Sequence, residues 1–264
     1  MNAHRSASPS WDVAQYLRFS GERLRPALDL LQRIPDALVP RRVIDLGCGT
    51  GEITLALKRR WPQAEVTGLD SAASMLERAR SLGGEVEWIR MDIAKWSPGR
   101  PFDLIYSNAA LHWLDAHEIL FPRLLHRLAT GGVLAVQMPR NFGAPSHRLM
   151  REVAEEAPWR ERLRPALRPE PVLPAERYYD LLAPIGSEVD LWESEYIHVL
   201  EGETPVLDWV KGTGLRPLLD LLTDQAERAE FIDRYQAKLA QTYPRRADGR
   251  TLFPFKRFFL IARR

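Results

Sequence analysis

Apolar and polar positions along this chain alternate between two periods. Over residues 22–34 the apolar side chains Leu24, Leu28, Leu31 and Ile34 recur at helical spacing, with Pro26 placed for the first turn. Beyond Pro40, short apolar runs predict strands over residues 42–46, 65–70, 86–91, 102–107 and 133–138. Amphipathic stretches between them predict helices over 52–61, 74–82 and 117–128, stopped by Pro62, by Gly83-Gly84 and by Gly131-Gly132. Strands and helices in this order argue for a doubly wound α/β fold with a parallel sheet. The rhythm then changes. Residues 139–188 read as helix interrupted by six prolines, from Pro158 to Pro184, 189–199 alternates as a strand, 204–243 is helical, and 252–262 closes as an aromatic-rich strand. The chain 1–264 thus reads as one domain, with a core at about 35–140 and helical insertions at about 141–187 and 200–248. Insertions around a late strand predict a lid over the carboxyl ends of the sheet, the side on which open α/β sheets bind ligands.

The first predicted strand runs into Val43-Ile44-Asp45-Leu46-Gly47-Cys48-Gly49-Thr50-Gly51, which opens the next helix. Glycine has no Cβ and tolerates positive φ, so a ligand can lie almost against such a loop. The spacing is G-x-G-x-G, whereas a dinucleotide pyrophosphate calls for G-x-G-x-x-G. An NAD-dependent oxidoreductase would therefore want its third glycine one residue later. Asp45 stands two residues before Gly47, which favours a ligand without phosphate and with a cationic end. S-adenosylmethionine (SAM) has that character.

Further polar residues close the following strands. Asp70 ends the second, 19 residues after Gly51, where a carboxylate accepts from two ribose hydroxyls. Asp92 ends the third, placed to accept from an adenine amino group while Ile93 packs on the ring, and Ser107-Asn108 ends the fourth. Any one of these acids is equally well a helix N-cap or a solvated strand end. Successive strand ends carrying them together with the glycine loop point to a nucleoside pocket.

Charge adds mainly exclusions. Lys+Arg (37) and Asp+Glu (35) nearly balance and are interspersed, giving +2, without the long basic block that binds nucleic acid. The single cysteine, Cys48, permits no intrachain disulfide, suits a reducing compartment and reads as a small buried loop residue. No Cys/His cluster suggests a metal. The polar N-terminus has no apolar targeting segment and no stretch approaches a membrane span, so a soluble, cytoplasmic, monomeric protein without membrane or nucleic-acid partners is the expectation.

Residues 40–140 resemble the class I SAM-dependent methyltransferases. The resemblance is carried by Asp45 to Gly51, Gly68-Leu69-Asp70-Ser71, Ser74-Met75-Leu76, Asp92-Ile93 and Ser107-Asn108. It implies a Rossmann-like, doubly wound seven-stranded sheet whose last strand is antiparallel. It also implies that Asp45, Gly47, Gly49 and Gly51 hold the methionine end of SAM, Asp70 the ribose, Met75 the adenosine, and Asp92 with Ile93 the adenine, with Asn108 lining the cleft.

Over nearly its full length the chain further resembles the family of trans-aconitate methyltransferases. The segments are Tyr16 to Ser20, Leu111-His112-Trp113-Leu114, Gln137-Met138-Pro139, Tyr178-Tyr179-Asp180, Asp208-Trp209-Val210, Gly214-Leu215-Arg216-Pro217 and Arg257. The implied reaction is methyl transfer to a carboxylate of a small polycarboxylic acid, giving a monomethyl ester and S-adenosylhomocysteine. The alternative is a SAM-dependent methyltransferase of another small molecule. Carboxylates are ionised at neutral pH, so no general base is expected. Tyr16, His112, Trp113, Asn141, Tyr179, Tyr196, Trp209, Arg216 and Arg257 are the candidate acceptor-binding residues. Against each stands the plainer reading of a surface cation or core aromatic.

Overall fold

A computed structural model describes residues 20–167 and 169–264. Apolar runs become strands β1 (Arg42–Leu46), β2 (Glu65–Asp70), β3 (Glu87–Arg90), β4 (Phe102–Asn108), β5 (Leu128–Pro139), β6 (Glu188–Leu200) and β7 (Thr251–Arg263). They form one sheet in the order β3-β2-β1-β4-β5-β7-β6. The pairs β2-β3, β1-β2, β1-β4 and β4-β5 are parallel. Bonds from Gly131 N to the Arg264 carbonyl and from Arg140 N to the Lys256 carbonyl run in opposite senses along β5 and β7, so β7 is antiparallel. Central β1 buries Val43, Ile44 and Leu46, as a parallel strand covered on both faces requires.

The helices are α1 (Ser20–Arg33), α2 (Glu52–Arg60), α3 (Ala73–Ser81), α4 (His117–His126), α5 (Pro145–Ala154), α6 (Arg160–Leu163), α7 (Ala175–Leu182), α8 (Pro205–Lys211), α9 (Arg216–Leu219) and α10 (Gln225–Thr242). Two local expectations fail. Pro26 is the seventh residue of α1 and so lies beyond its first turn, because the helix already includes Ser20. Gly131-Gly132 does not stop α4, which ends at His126. The pair lies inside β5, where 129–132 stand opposite Asp103 alone. A Cβ on Gly132 would meet the carbonyls of Ala129 and Phe102 at 2.9 and 3.1 Å, so the bulge needs glycine there.

The chain divides into two compact units. The first holds the described residues up to Met138, Pro171–Glu193 and Phe258–Arg264. Its core joins Ile44, Leu69, Ile105 and Val136 of the sheet to Phe121 and Leu124 of α4 and to Tyr178 of α7. Tyr178 stacks on Phe258 at 5.0 Å. Helix α7, within the predicted 141–187 insertion, thus packs in the first unit.

The second unit comprises Pro139–Glu170 and Ser194–Arg257. There the Tyr235 hydroxyl of α10 donates to the Ser146 carbonyl of α5 (2.9 Å), and the Tyr243 hydroxyl accepts from Ser146 N (3.1 Å). Trp159 and Phe231 meet edge to face at 5.2 Å. No helix among the described residues is long and apolar enough to cross a membrane.

Candidate active site

At the carboxyl end of β1 the chain turns across β2, with Gly47 N and Cys48 N donating to the Leu69 carbonyl at 2.7 and 3.0 Å. Gly47, Gly49 and Gly51 all take positive φ, at +77°, +53° and +89°. Their open faces differ. A Cβ on Gly47 would overlap that of Ala110, with Ile93 Cδ1 3.6 Å away. A Cβ on Gly51 would press on Trp88 and Ala79, whereas one on Gly49 would meet nothing within 4 Å. Two of the three glycines therefore make room for protein. Only Gly49 presents bare backbone to open space.

Two acids flank this loop. Asp45 is buried, and its Oδ2 accepts from the Thr54 hydroxyl on α2 at 2.7 Å. Burial pushes its carboxyl up to about 7, against the pull of the Thr54 bond and with a further push from Asp70. Asp70 Oδ2 accepts from Gly49 N at 2.9 Å and Oδ1 from Ala72 N at 2.8 Å. Burial raises its pKa too, opposed by the bonds from Ala72, Gly49 and Ser71. Three backbone donors on a carboxylate with four acceptor positions leave one for a ligand hydroxyl. Two neighbouring acids held against their preference for water favour a ligand that brings positive charge and hydroxyl donors.

The remaining cofactor candidates sort by environment. Asn108 ends β4, and its Oδ1 is buried without a hydrogen-bond partner. Ala109 follows at φ +51°, a costly backbone conformation for a residue with a Cβ. Ile93 is buried beside Gly47, while Asp92 is exposed and its Oδ1 caps a short 3₁₀ helix by accepting from Ala94 N at 2.8 Å. Met75 is buried on the inner face of α3. Cys48 is buried, and burial with Asp45 and Asp70 nearby pushes its thiol far above the usual range, so it stays protonated.

Of the acceptor candidates in the first unit, His112 and Trp113 share the 3₁₀ turn after β4, with ring centroids 4.9 Å apart, and Tyr179 on α7 is exposed. A contact that the residue pattern did not reveal braces this turn. His117 Nε2 lies 3.0 Å from the Leu111 carbonyl and must carry the proton there, so Nδ1 accepts from the Tyr178 hydroxyl at 2.6 Å. The Tyr178 oxygen in turn accepts from Leu173 N at 3.2 Å. Burial lowers the His117 pKa and keeps the ring neutral.

In the second unit Asn141 bridges to Lys256 with both amide atoms, accepting from its N at 3.0 Å and donating to its carbonyl at 3.2 Å. This places it one residue from Arg257, which is buried with its guanidinium 4.6 Å from the centre of the Phe255 ring. Tyr196 and Trp209 lie in the same aromatic cluster, joined by His198, which stacks on Trp209 at 4.4 Å. Arg216 begins α9 and faces Asp220 at 4.0 Å. Tyr16 lies outside the described residues.

Residues 43–132 match the family model described as a methyltransferase domain. The fold agrees with two solved structures. The Bacillus subtilis YcgJ protein superposes with TM-score 0.56 at 15% identity, covering 91% of this chain and 98% of that one. An S-adenosylmethionine-dependent methyltransferase from Mesorhizobium loti gives TM-score 0.51 at 23% identity, covering 93% and 100%. At these identities the two structures show a shared fold, and the family model a methyltransferase domain over the residues it matches. Trans-aconitate 2-methyltransferase from Streptomyces coelicolor is 50% identical across 98% of this chain and 88% of that protein. Those from Azoarcus and Klebsiella pneumoniae are 48% and 46% identical, each over 96% of this chain and over 99% and 98% of their own. The chain belongs to the trans-aconitate 2-methyltransferase family.

Proposed function

We propose that this chain transfers a methyl group from SAM to a carboxylate of trans-aconitate, forming a monomethyl ester and S-adenosylhomocysteine. The observation that carries this reading is identity of about half, sustained over nearly the whole length of relatives so named. The site fits the cofactor. Gly49 has open space at its missing Cβ, Asn108 Oδ1 awaits a donor, and Asp70 keeps one acceptor position. Asp70 would hold the ribose hydroxyls, Asp45 and the Gly47, Gly49 and Gly51 backbone the methionine end, and Met75, Asp92 and Ile93 the adenosine. When bound, SAM supplies an electrophilic methyl on a sulfonium.

Trans-aconitate brings its own charge, because its carboxylates are ionised at neutral pH and need no base to attack. The protein's part is to grip some carboxylates, present another and exclude water. Arg216 and Arg257 are the cations assigned to the grip, with His112, Trp113, Asn141, Tyr179, Tyr196, Trp209 and Tyr16 as further acceptor-binding residues. A single cysteine fits work in the reducing cytoplasm. A monomer is the assembly expected, to be checked by light scattering.

The test is an assay of methyl-labelled SAM against trans-aconitate, cis-aconitate, isocitrate and citrate. Base-labile label transferred fastest to trans-aconitate supports the reading, and equal or faster transfer to citrate overturns the substrate. Rate at saturating substrate should stay flat as pH falls through the histidine range, since a hydroxyl acceptor would need a base and lose rate. Replacing Arg216 by Ala should raise the KM for trans-aconitate about tenfold with the KM for SAM unchanged.

A further inference from the structure

The indole of Trp88 fills the space that two glycines leave beneath the cofactor loop. Gly68 in β2 and Trp88 in β3 are register partners, so their side-chain directions leave the sheet on one face. A Cβ on Gly68 would overlap Trp88 Cζ3 and stand 2.5 Å from Cε3 and 3.2 Å from Cys48 Sγ. A Cβ on Gly51 would stand 2.7 Å from Trp88 Cη2 and 2.9 Å from Ala79 Cβ. One edge of the six-membered ring thus runs from the interior of β2 to the first residue before α2. Asp45 is the next register partner across the sheet, on the far side of Gly68.

A strand glycine normally weakens its neighbourhood, and an aromatic cross-strand partner restores the missing packing. Here the partner also reaches the left-handed Gly51 that closes the loop. Trp88 belongs to the edge strand β3 and is only partly buried, so its removal hollows the loop's support more than the core of the unit. We propose that Trp88 is a positioning residue for SAM binding, holding the 47–51 loop through Gly51 and Gly68 so that Gly49 stays on Asp70. The inference rests on the assignment of SAM to that loop.

The experiment is calorimetric titration of SAM into wild type, Trp88→Ala, Trp88→Phe, Gly68→Ala and the Gly68→Ala/Trp88→Ala double variant, with KM and kcat for each. Trp88→Ala should weaken SAM binding about tenfold and raise the KM for SAM alike, with kcat at saturating SAM and the KM for the acceptor held within about twofold. Trp88→Phe keeps a ring over Gly68 but falls short of Gly51, and should lie between. Gly68→Ala should weaken binding when Trp88 is present, and add little to Trp88→Ala, because the clash it creates is gone. Unchanged SAM affinity in Trp88→Ala, or losses that simply add in the double variant, would overturn the proposal. If Trp88→Ala does not fold, Trp88→Phe and Gly68→Ala decide it by the same affinity criterion. Wild type that takes up no SAM would overturn the cofactor assignment and this inference together, an outcome distinct from variants that bind as wild type does.

Discussion

At the carboxyl ends of β1 and β2, Asp45 and Asp70 are held by Thr54 and by backbone N–H groups, and burial drives both carboxyls upward. At the amino ends of the same strands, Arg42 and Glu65 face each other at 3.6 Å, with Arg100 3.9 Å from Glu65 and Lys58 3.6 Å from Glu85. These charges line an open hollow of about 490 Å³. Its charges are already paired, with Arg42 and Arg100 sharing Glu65 and Lys58 facing Glu85, and lie towards solvent, where ion pairs contribute little. Among the described residues, no cation pairs with Asp45 or Asp70 at the carboxyl end. The difference teaches that charge kept against its solvation preference, unlike charge already paired near solvent, marks a candidate site.

The largest effect that separates the two ends is the stability gained by neutralising Asp45. A carboxyl raised from 3.8 to about 7 binds its proton more tightly in the folded state. Its contribution is therefore full below about pH 4 and is lost as pH rises through about 7. Asp45→Asn should raise the urea unfolding free energy at pH 8 by up to roughly 4 kcal/mol and change it little at pH 4. The same variant should bind SAM less well at pH 8, and equal gains at both pH values would remove the distinction between the ends. Next comes Asp70→Ala, which removes the acceptor proposed for the ribose and should cost about 1.5–3 kcal/mol in SAM affinity by calorimetry. Undiminished affinity would move the cofactor elsewhere.

A smaller effect is expected at Asn108. Its Oδ1 is buried and unpartnered, so Asn108→Ala should leave thermal stability unchanged or raise it by about 1 kcal/mol, while weakening SAM several-fold. A fall in stability matching the fall in affinity would make Asn108 a structural residue. The smallest effect belongs to the amino end. Glu65→Gln breaks two exposed ion pairs and should shift stability by no more than about 0.5 kcal/mol with SAM affinity unaltered. A measurable change in SAM affinity there would show that the hollow is coupled to the loop after all.

Much of the first unit was legible in the residue pattern. The strands at 42–46 and 65–70 stand where the apolar runs predict, because buried parallel strands must be apolar on both faces. The glycine loop and Asp70 were found for the same reason, since positive φ and strand-end acids leave marks in the chain itself. Other features were not legible. Thr54 reaches Asp45 across the loop, and Tyr178 reaches His117 over 61 residues, with no local pattern to announce either bond. Gly131-Gly132 looked like a helix stop and proved to be a bulge, because both uses need glycine and only the partner strand distinguishes them.

What the sequence by itself determined is the alternation of strands and helices, the antiparallel last strand through resemblance, and the identity of the acids beside the glycine loop. These depend on periodicity and backbone conformation, which are local properties. Only the tertiary structure decided what each loop glycine is for. Gly47 yields to Ala110, Gly51 and Gly68 yield to Trp88, and Gly49 alone lies open. It also decided that Asp45 is raised to about 7, since desolvation depends on every group packed around a carboxyl and not on its neighbours along the chain.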